Sequence, residues 1–528
     1  GFAAPFFELL QSPSFGRVFG FTLLQAVLST LLTLVLGLPG AYVFARYKFR
    51  GKSLLRAMTG IPFVMPTLVV AAAFYSLLGP RGWVNLALME LLHLGAPPIQ
   101  LTGTLAAILV AHVFYNTTIV LRMVGDFWSR LDPRMTAAAQ VLGANRWQAF
   151  TRVVAPLLSP AVVTATLLVF IFDFTSFGVI LTLGGPRFAT LEVEIYYQTV
   201  SLFNLPVAAA LSVIQLLCTL GLTAAYTRLA ARVSRPIELR SRRFTEQPLA
   251  TPSRRLFAGS MVLLLLLMLT APLFSLAARS LFRLGTGQAL LGSLLAGPDF
   301  TFYQQLAQNP QGSLFYVPPS TAIAISLCYA SITVLLSLAL GLPASWALAG
   351  DRDSTLSKLL DPLLMLPLGT SAVTLGLGFI ISLGRGGLNL RSSPLLVPLA
   401  HTLVAFPCVV RSLTPSLRSI RPRLREAAAM LGAGPGKVLR YVDLPLVGRA
   451  LLVAAIFAFA VSMGEFGATA LLARPDYPTI PIMIYRILSR PGALNYGQAL
   501  ALSTILMLIT GLGMLGIERF RIAEVGEF

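Results

Sequence analysis

The sequence predicts an all-α, polytopic membrane protein made of two tandem helical repeats that run in the same direction. Three observations predict it. Hydrophobic residues make up 56% of the 528 and charged residues only 11%, against roughly 25% charged in soluble domains. Apolar stretches recur at about the 20-residue length that crosses a bilayer core, and lipid leaves their backbone no partner except its own helix. Third, the basic, polar segment AAAQVLGANRWQAFTRVVAPLL (Ala137–Leu158) returns 289 residues later as EAAAMLGAGPGKVLRYVDLPLV (Glu426–Val447), with Gly143 on Gly432 and Pro156 on Pro445.

Eleven spans are expected in order: Val18–Phe44, Ala57–Leu78, Leu101–Met123, Leu157–Leu183, Pro206–Leu229, Leu256–Ala278, Ala322–Ala349, Pro362–Leu383, Leu395–Val410, Leu446–Leu472 and Ala499–Gly516. Lys and Arg gather in alternate loops, at Arg46 to Arg56, Arg122 to Arg152, Arg228 to Arg255 and Arg411 to Arg449. With these loops and the C-terminus in the cytoplasm, about 30 of the basic residues lie inside, as the positive-inside rule requires. The net charge of +20 is therefore topological and does not point to nucleic acid.

The repeat extends beyond the polar loop. At the same offset AHVFYNTTIVLR (Ala111–Arg122) meets AHTLVAFPCVVR (Ala400–Arg411), and LDPR (Leu131–Arg134) meets IRPR (Ile420–Arg423). Further on, Phe177-Gly178 meets Phe466-Gly467, Pro186 meets Pro475, Thr190 meets Thr479 and Tyr196 meets Tyr485. Upstream the offset rises to 304, where GLPG (Gly37–Gly40) meets GLPA (Gly341–Ala344). The second half is shorter here, for lack of much of the external stretch Arg81–Gln100. The expected organisation is a first repeat over 1–230, a basic cytoplasmic linker over 231–255 and a second repeat over 256–528. The second repeat opens with Leu256–Ala278, which has no partner in the first, so a twelfth span is expected ahead of Gly1 in the full-length chain. Its arginines make the linker an element held inside, beside lipid headgroups.

The pattern E-A-A-x-x-x-G followed by a hydrophobic x-x-P resembles the EAA loop of binding-protein-dependent ABC importer permeases. The second half carries it as EAAAMLG (Glu426–Gly432) and VDLP (Val442–Pro445). The first half keeps Ala138, Ala139, Gly143 and Pro156 but has Ala137 in place of the glutamate. The resemblance covers essentially the whole chain and implies the type I ABC importer permease fold. It implies that each loop docks on one copy of a cytoplasmic ABC ATPase dimer, and that an extracytoplasmic solute-binding protein delivers the cargo. Within the loops, Ala138, Ala139, Ala427 and Ala428 favour helix and give a low surface. Gly143 and Gly432 suit the positive φ that ends a helix. Pro156 and Pro445 fit the first turn of the following span. Glu426 is expected early in its helix, where the dipole favours it, or paired with Arg423.

Fused permeases with both halves in one chain resemble those of the thiamine and ferric-iron importers. The segments LGGPRFATLEVEIYY (Leu183–Tyr197) and GEFGATALLARPDYPTIPIMIY (Gly464–Tyr485) lean toward thiamine, with iron next. Acids inside spans are costly and mark pathways. Asp173 and Ser176 in the first half correspond to Ser462 and Glu465 in the second, so each half carries an acid and a serine three apart, in reversed order. These four are the candidate translocation residues, suited to a cationic cargo.

His112 and His401 are equivalent and are expected to pack. Together with His93 they make no metal-ligand set. Cys218, Cys328 and Cys408 read as buried free thiols. No hydrolytic triad is present. GAGPGKV (Gly432–Val438) fails as a phosphate loop on spacing and on its final residue. No cofactor or catalysis is expected, and ATP hydrolysis falls to the partner. The competing class is a secondary-active transporter with two parallel six-helix halves, which would need no duplicated docking loop; a non-transporting sensor would leave the buried acids without use.

Overall fold

The computed structural model describes residues 11–185, 187–233, 246–282, 297–308, 317–350, 360, 363–364, 367, 370–383 and 393–522. Pro186, the middle of the basic linker, the first residues of the span expected from Pro362, and any span ahead of Gly1 lie outside these.

Among the described residues the fold is helical, apart from a two-residue parallel pairing of β1 (Tyr47–Lys48) with β2 (Gln247–Pro248). Ten helices are long and apolar enough to cross a membrane. They answer ten of the eleven expected spans. The eleventh is described only as the shorter apolar helix Ala372–Leu383.

The first long helix described is α1 (Pro13–Arg46). At about 1.5 Å per residue, its 34 residues exceed a bilayer core of ~30 Å. Ser12 caps it, accepting from the Phe15 N–H at 3.2 Å. The expected span Ala57–Leu78 is broken into α2 (Lys52–Met58), α3 (Ile61–Val64) and α4 (Thr67–Leu78). Gly60 and Pro66 fall at the gaps, and proline cannot donate to the preceding turn. The Thr118 hydroxyl donates to the freed Thr59 carbonyl. After α5 (Trp83–Leu91) comes α6 (Leu105–Trp128), capped by the Thr104 hydroxyl accepting from Ala107 N–H at 3.3 Å.

The first polar loop holds α7 (Pro133–Val141), α8 (Arg146–Ala149) and a π-turn over Phe150–Val154, which runs into α9 (Ala155–Phe174). A second π-turn (Ile180–Gly184), α10 (Leu191–Tyr196) and α11 (Leu205–Val233) follow, then α12 (Pro252–Leu281). The second repeat continues with α13 (Thr301–Gln304), α14 (Pro319–Ala349), α15 (Ala372–Leu383) and α16 (Leu396–Ser419). Its loop holds α17 (Pro422–Met430), α18 (Pro435–Val438) and a π-turn over Leu439–Asp443, leading into α19 (Leu444–Gly464). The described residues end in α20 (Gly467–Leu472), α21 (Ile480–Leu488) and α22 (Ala493–Ile522).

Two compact units result. One takes in the described residues of Gly1–Phe63, Val70–Gln198 and Asn204–Gly297; the other those of Val64–Val69, Thr199–Phe203 and Pro298–Phe528. The expected span Leu256–Ala278 is α12, and it packs in the first unit although the repeat register assigns it to the second half. There Ala258, Met261 and Leu265 join Val43, Phe44 and Leu121 in one core cluster. Its Ser275 hydroxyl meets that of Ser76 at 2.8 Å.

Within each unit the same joints recur. The first unit's α1–α6–α9 core places Val120, Val124 and Trp128 against Ala41, Ala165 and Val169. In the second, Val409 and Leu413 of α16 pack with Ala450, Ala454 and Ala458 of α19. The Thr22 hydroxyl accepts from the first N–H of α10 (Leu191, 3.1 Å), and Ser326 does the same for α21 (Ile480, 2.8 Å). Phe177 and Tyr196 rings lie 5.5 Å apart, and Phe466 and Tyr485 rings 5.6 Å apart. Equal contacts at equal register make the duplication structural as well as sequential.

The three cysteines are free, and they are less buried than the sequence reading expected: Cys328 is exposed and the others half-buried. A thiol on an apolar helix needs no polar partner, so lipid-facing positions cost it little.

Candidate functional site

Each polar loop is a helix, a tight turn and a second short helix. Gly143 takes φ +89° and Gly432 φ +80°, a region closed to most L-residues. The turn closes identically in both copies: Ala144 N–H reaches the Ala139 carbonyl and Ala433 N–H the Ala428 carbonyl, each at 3.0 Å. Ala138 and Ala427 are exposed, and Ala139 and Ala428 half-buried. Just before each glycine stands an apolar pair almost wholly in the open. Val141 and Leu142 are 87% and 88% exposed, Met430 and Leu431 89% each. Four such side chains in the open are unusual for a polar loop and make an apolar patch on each.

Pro156 and Pro445 stand in the first turn of α9 and α19, as expected. The chain enters each helix from a π-turn and not from an extended loop. The π-turns Phe150–Val154 and Leu439–Asp443 lie immediately ahead, closing with Ala155 N–H on the Phe150 carbonyl and Leu444 N–H on the Leu439 carbonyl. A proline ring collides with the carbonyl four residues back and lacks an N–H, and a widened turn relieves both demands. The helical path therefore runs from loop into span in both copies.

Glu426 departs from the sequence expectation. It is the fifth residue of α17, beyond the first turn, is exposed, and makes no ion pair with Arg423 among the described contacts. Neither the helix dipole nor a local cation holds it, so its carboxylate stays available to a partner.

The loops are anchored differently. In the first, Asp132 caps α7 by accepting from Arg134 N–H at 2.9 Å. Asn145 and Gln148 form a reciprocal capping box at 2.8 and 3.0 Å, which satisfies donors that helix starts otherwise leave open. At the equivalent positions of the second loop, Arg421 and Gly434 provide no side-chain cap. There Arg425 Nε donates to Asp443 Oδ1 at 2.8 Å. Sequence reading missed this pair. Its two residues lie 18 apart, across the turn, where no helix periodicity links them.

The four residues singled out inside the spans gather in pairs around the two histidines. His112 Nδ1 lies 3.0 Å from Ser29 Oγ and 3.4 Å from Asp173 Oδ1, and its Nε2 lies 2.8 Å from Ser176 Oγ. Asn116 Nδ2 donates to Asp173 Oδ1 at 2.7 Å. In the second unit His401 Nδ1 lies 2.8 Å from Ser462 Oγ. Its Nε2 is 2.7 Å from Thr469 Oγ1 and 3.3 Å from Glu465 Oε2. Ser462 Oγ is 3.2 Å from Thr333 Oγ1. In both repeats the first ring nitrogen faces position 173 or 462 and the second faces position 176 or 465. The acid and the serine have exchanged places around a fixed ring.

Each cluster is buried and stands where the span after the loop breaks. The expected helix Leu157–Leu183 stops at Phe174, and Leu446–Leu472 stops at Gly464. In the second unit Glu465 restarts the helix: its carboxylate accepts from Ala468 N–H and Thr469 N–H, each at 3.0 Å. In the first, Gln25 Nε2 donates to the Asp173 carbonyl at 2.7 Å. Backbone groups released inside an apolar layer must be paired by side chains; Gln25 of α1 and Glu465, between α19 and α20, supply them. Ser29 and Thr333 escaped the sequence reading, although the 304 offset pairs them directly. No group of three or more metal-ligating side chains occurs among the described residues.

The fold and these loops define a permease, and the comparisons agree. The family model for "binding-protein-dependent transport system inner membrane component" matches residues 33–235. The chain is 30% identical over 493 residues to the thiamine transport system permease protein ThiP of Brucella abortus, covering 93% of this chain and 85% of that one. With ThiP of Escherichia coli it shares 27% over 476 residues, 89% of this chain and 83% of that one. The E. coli sulfate transport system permease protein CysT is 32% identical over 236 residues, 44% of this chain and 83% of its own length. The chain belongs to the binding-protein-dependent ABC importer permeases and is a multi-pass membrane protein.

Proposed function

We propose that this chain is the transmembrane subunit of an ATP-driven importer that takes thiamine from an extracytoplasmic binding protein. The observation that carries the coupling part is the pair of helical loops, each offering an exposed apolar pair beside a left-handed glycine and continuing helically into a span. A cytoplasmic ATPase dimer would seat one subunit on each loop. Two loops of this build have no use in a carrier driven by ion gradients.

Thiamine is supported by resemblance to two ThiP proteins over most of the chain. The CysT likeness covers 44% of it, so the common permease core serves anions as well as cations in other members. Ferric iron is the next candidate.

In the proposed cycle, ATP closes the ATPase pair, the loops move together, and the spans beyond the π-turns turn with them. The helix breaks at Thr175–Phe177 and Glu465–Phe466 interrupt the two spans that receive this motion. Asp173, Ser176, Ser462 and Glu465 belong to the pathway in this reading by fixing the geometry of those breaks, since their near partners are internal. Basic loops and C-terminus lie in the cytoplasm. Reconstitution with the ATPase and binding protein tests the whole: ATP-dependent uptake of labelled thiamine is expected, and ATP-dependent uptake of iron alone would reassign the cargo.

A further inference from the structure

Within the second loop Arg425 and Asp443 form an ion pair that ties α17 to the π-turn at the root of α19. Asp443 is fully buried and is the last residue of that turn. Arg425 directly precedes Glu426, and its side chain is one-third exposed. Asp443 Oδ2 and Arg425 Nη2 are buried without a further hydrogen-bond partner, so each group relies on the other. Pulling such a pair apart leaves a buried carboxylate uncompensated, so separation of α17 from the turn is costly.

The first loop has no such pair at the matching positions. Thr136 and Val154 occupy the matching positions, and Val154 packs with Trp128 and Leu158 in an apolar cluster. Its helices are fixed by end caps instead, which the second loop lacks. Caps hold a helix at its start and restrain only local fraying. A charge pair across the turn holds helix against span.

We propose that Arg425 and Asp443 are positioning residues through which α17 drives α19, so that the second loop transmits movement stiffly and the first more loosely. This rests on the coupling-loop reading above. The substitutions to make are Arg425→Thr together with Asp443→Val, which install the first repeat's own residues at both positions of the same fold. Arg425→Lys is the conservative variant.

The experiment uses the full chain in complex with its ATPase. Hydrogen exchange is measured with and without a non-hydrolysable ATP analogue, alongside thiamine uptake per ATP hydrolysed. The double variant is expected to retain the ATPase, to lose the nucleotide-dependent change in Leu444–Gly464 and to keep it in Ala155–Phe174. Uptake per ATP should fall on the order of tenfold, and Arg425→Lys should restore part of both. A double variant with wild-type nucleotide response overturns the proposal. So does one that sheds the ATPase, because the pair would then support docking and not transmission. A wild-type chain that never retains the ATPase overturns the loop reading itself, and one that responds to nucleotide without taking up thiamine overturns only the cargo.

Discussion

Gly37 lies so close to Val120 that a Cβ added to it would sit 2.8 Å from Val120 Cβ, and the repeat reproduces this at Gly341 and Val409, with 2.6 Å to Cγ1. Helix α1 meets α6, and α14 meets α16, across a joint that admits no side chain. Close approach through small residues is how helices gain dispersion contact where lipid supplies no hydrophobic drive.

Gly37→Val and Gly341→Val should therefore each destabilise the protein by about 1–3 kcal/mol, the usual cost of overpacking. Thermal melting in detergent checks this. Gly16, whose surroundings are open within 4 Å, is the matched control and should cost far less.

Gly143→Ala and Gly432→Ala place a Cβ at a left-handed φ, at a cost of about 1–2 kcal/mol each. No atom lies within 4 Å of either added Cβ, so the effect is conformational and local. ATPase retention during purification should fall while the spans still insert. Gly432→Pro should do the same more severely. Unchanged retention in all three would remove the turn from the coupling argument.

Replacing the exposed apolar pairs separates docking from folding. Leu142→Ser and Leu431→Ser touch side chains 88% and 89% exposed, so melting should shift within about 0.5 kcal/mol, as for ordinary surface changes. ATPase association should drop clearly. Glu426→Lys belongs to the same experiment, with membrane insertion intact and both association and uptake reduced.

Asp173→Asn with Glu465→Gln keeps shape while removing both carboxylates from their histidine clusters. Uptake should fall at unchanged membrane abundance. His401→Leu should be worse than either, because it removes one buried partner from Ser462, Thr469 and Glu465 at once; each lost buried hydrogen bond costs about 1 kcal/mol. Normal uptake by the double carboxylate variant would separate these clusters from transport.

Much of this was legible in the sequence because duplication acts as an internal control. A single glycine before a basic stretch says little, whereas Gly143 and Gly432 at one offset say turn. Membrane spans were legible from composition, since lipid makes a strict length demand. Their interruptions were not: hydropathy averages over Gly60 and Pro66, and over Phe174 to Phe177, where the chain stays apolar while the helix stops. The histidine clusters were half-visible. The acid–serine exchange could be read from the register, but not the ring between them, because nothing local in sequence marks three helices as neighbours. Arg425–Asp443 lacked even a repeat partner to betray it.

The lodging of Pro252–Leu281 in the first unit bears on how such a chain could be cut. A break in the basic linker, at 234–245, looks natural from the repeat, since it parts the two halves of the duplication. It would also part Ser275 from Ser76 and Met261 and Leu265 from Leu121, and leave each fragment with the wrong complement of helices. A viable split would fall after that helix and before Thr301. Gene fission in this lineage, or a two-plasmid complementation design, should therefore respect packing in preference to ancestry.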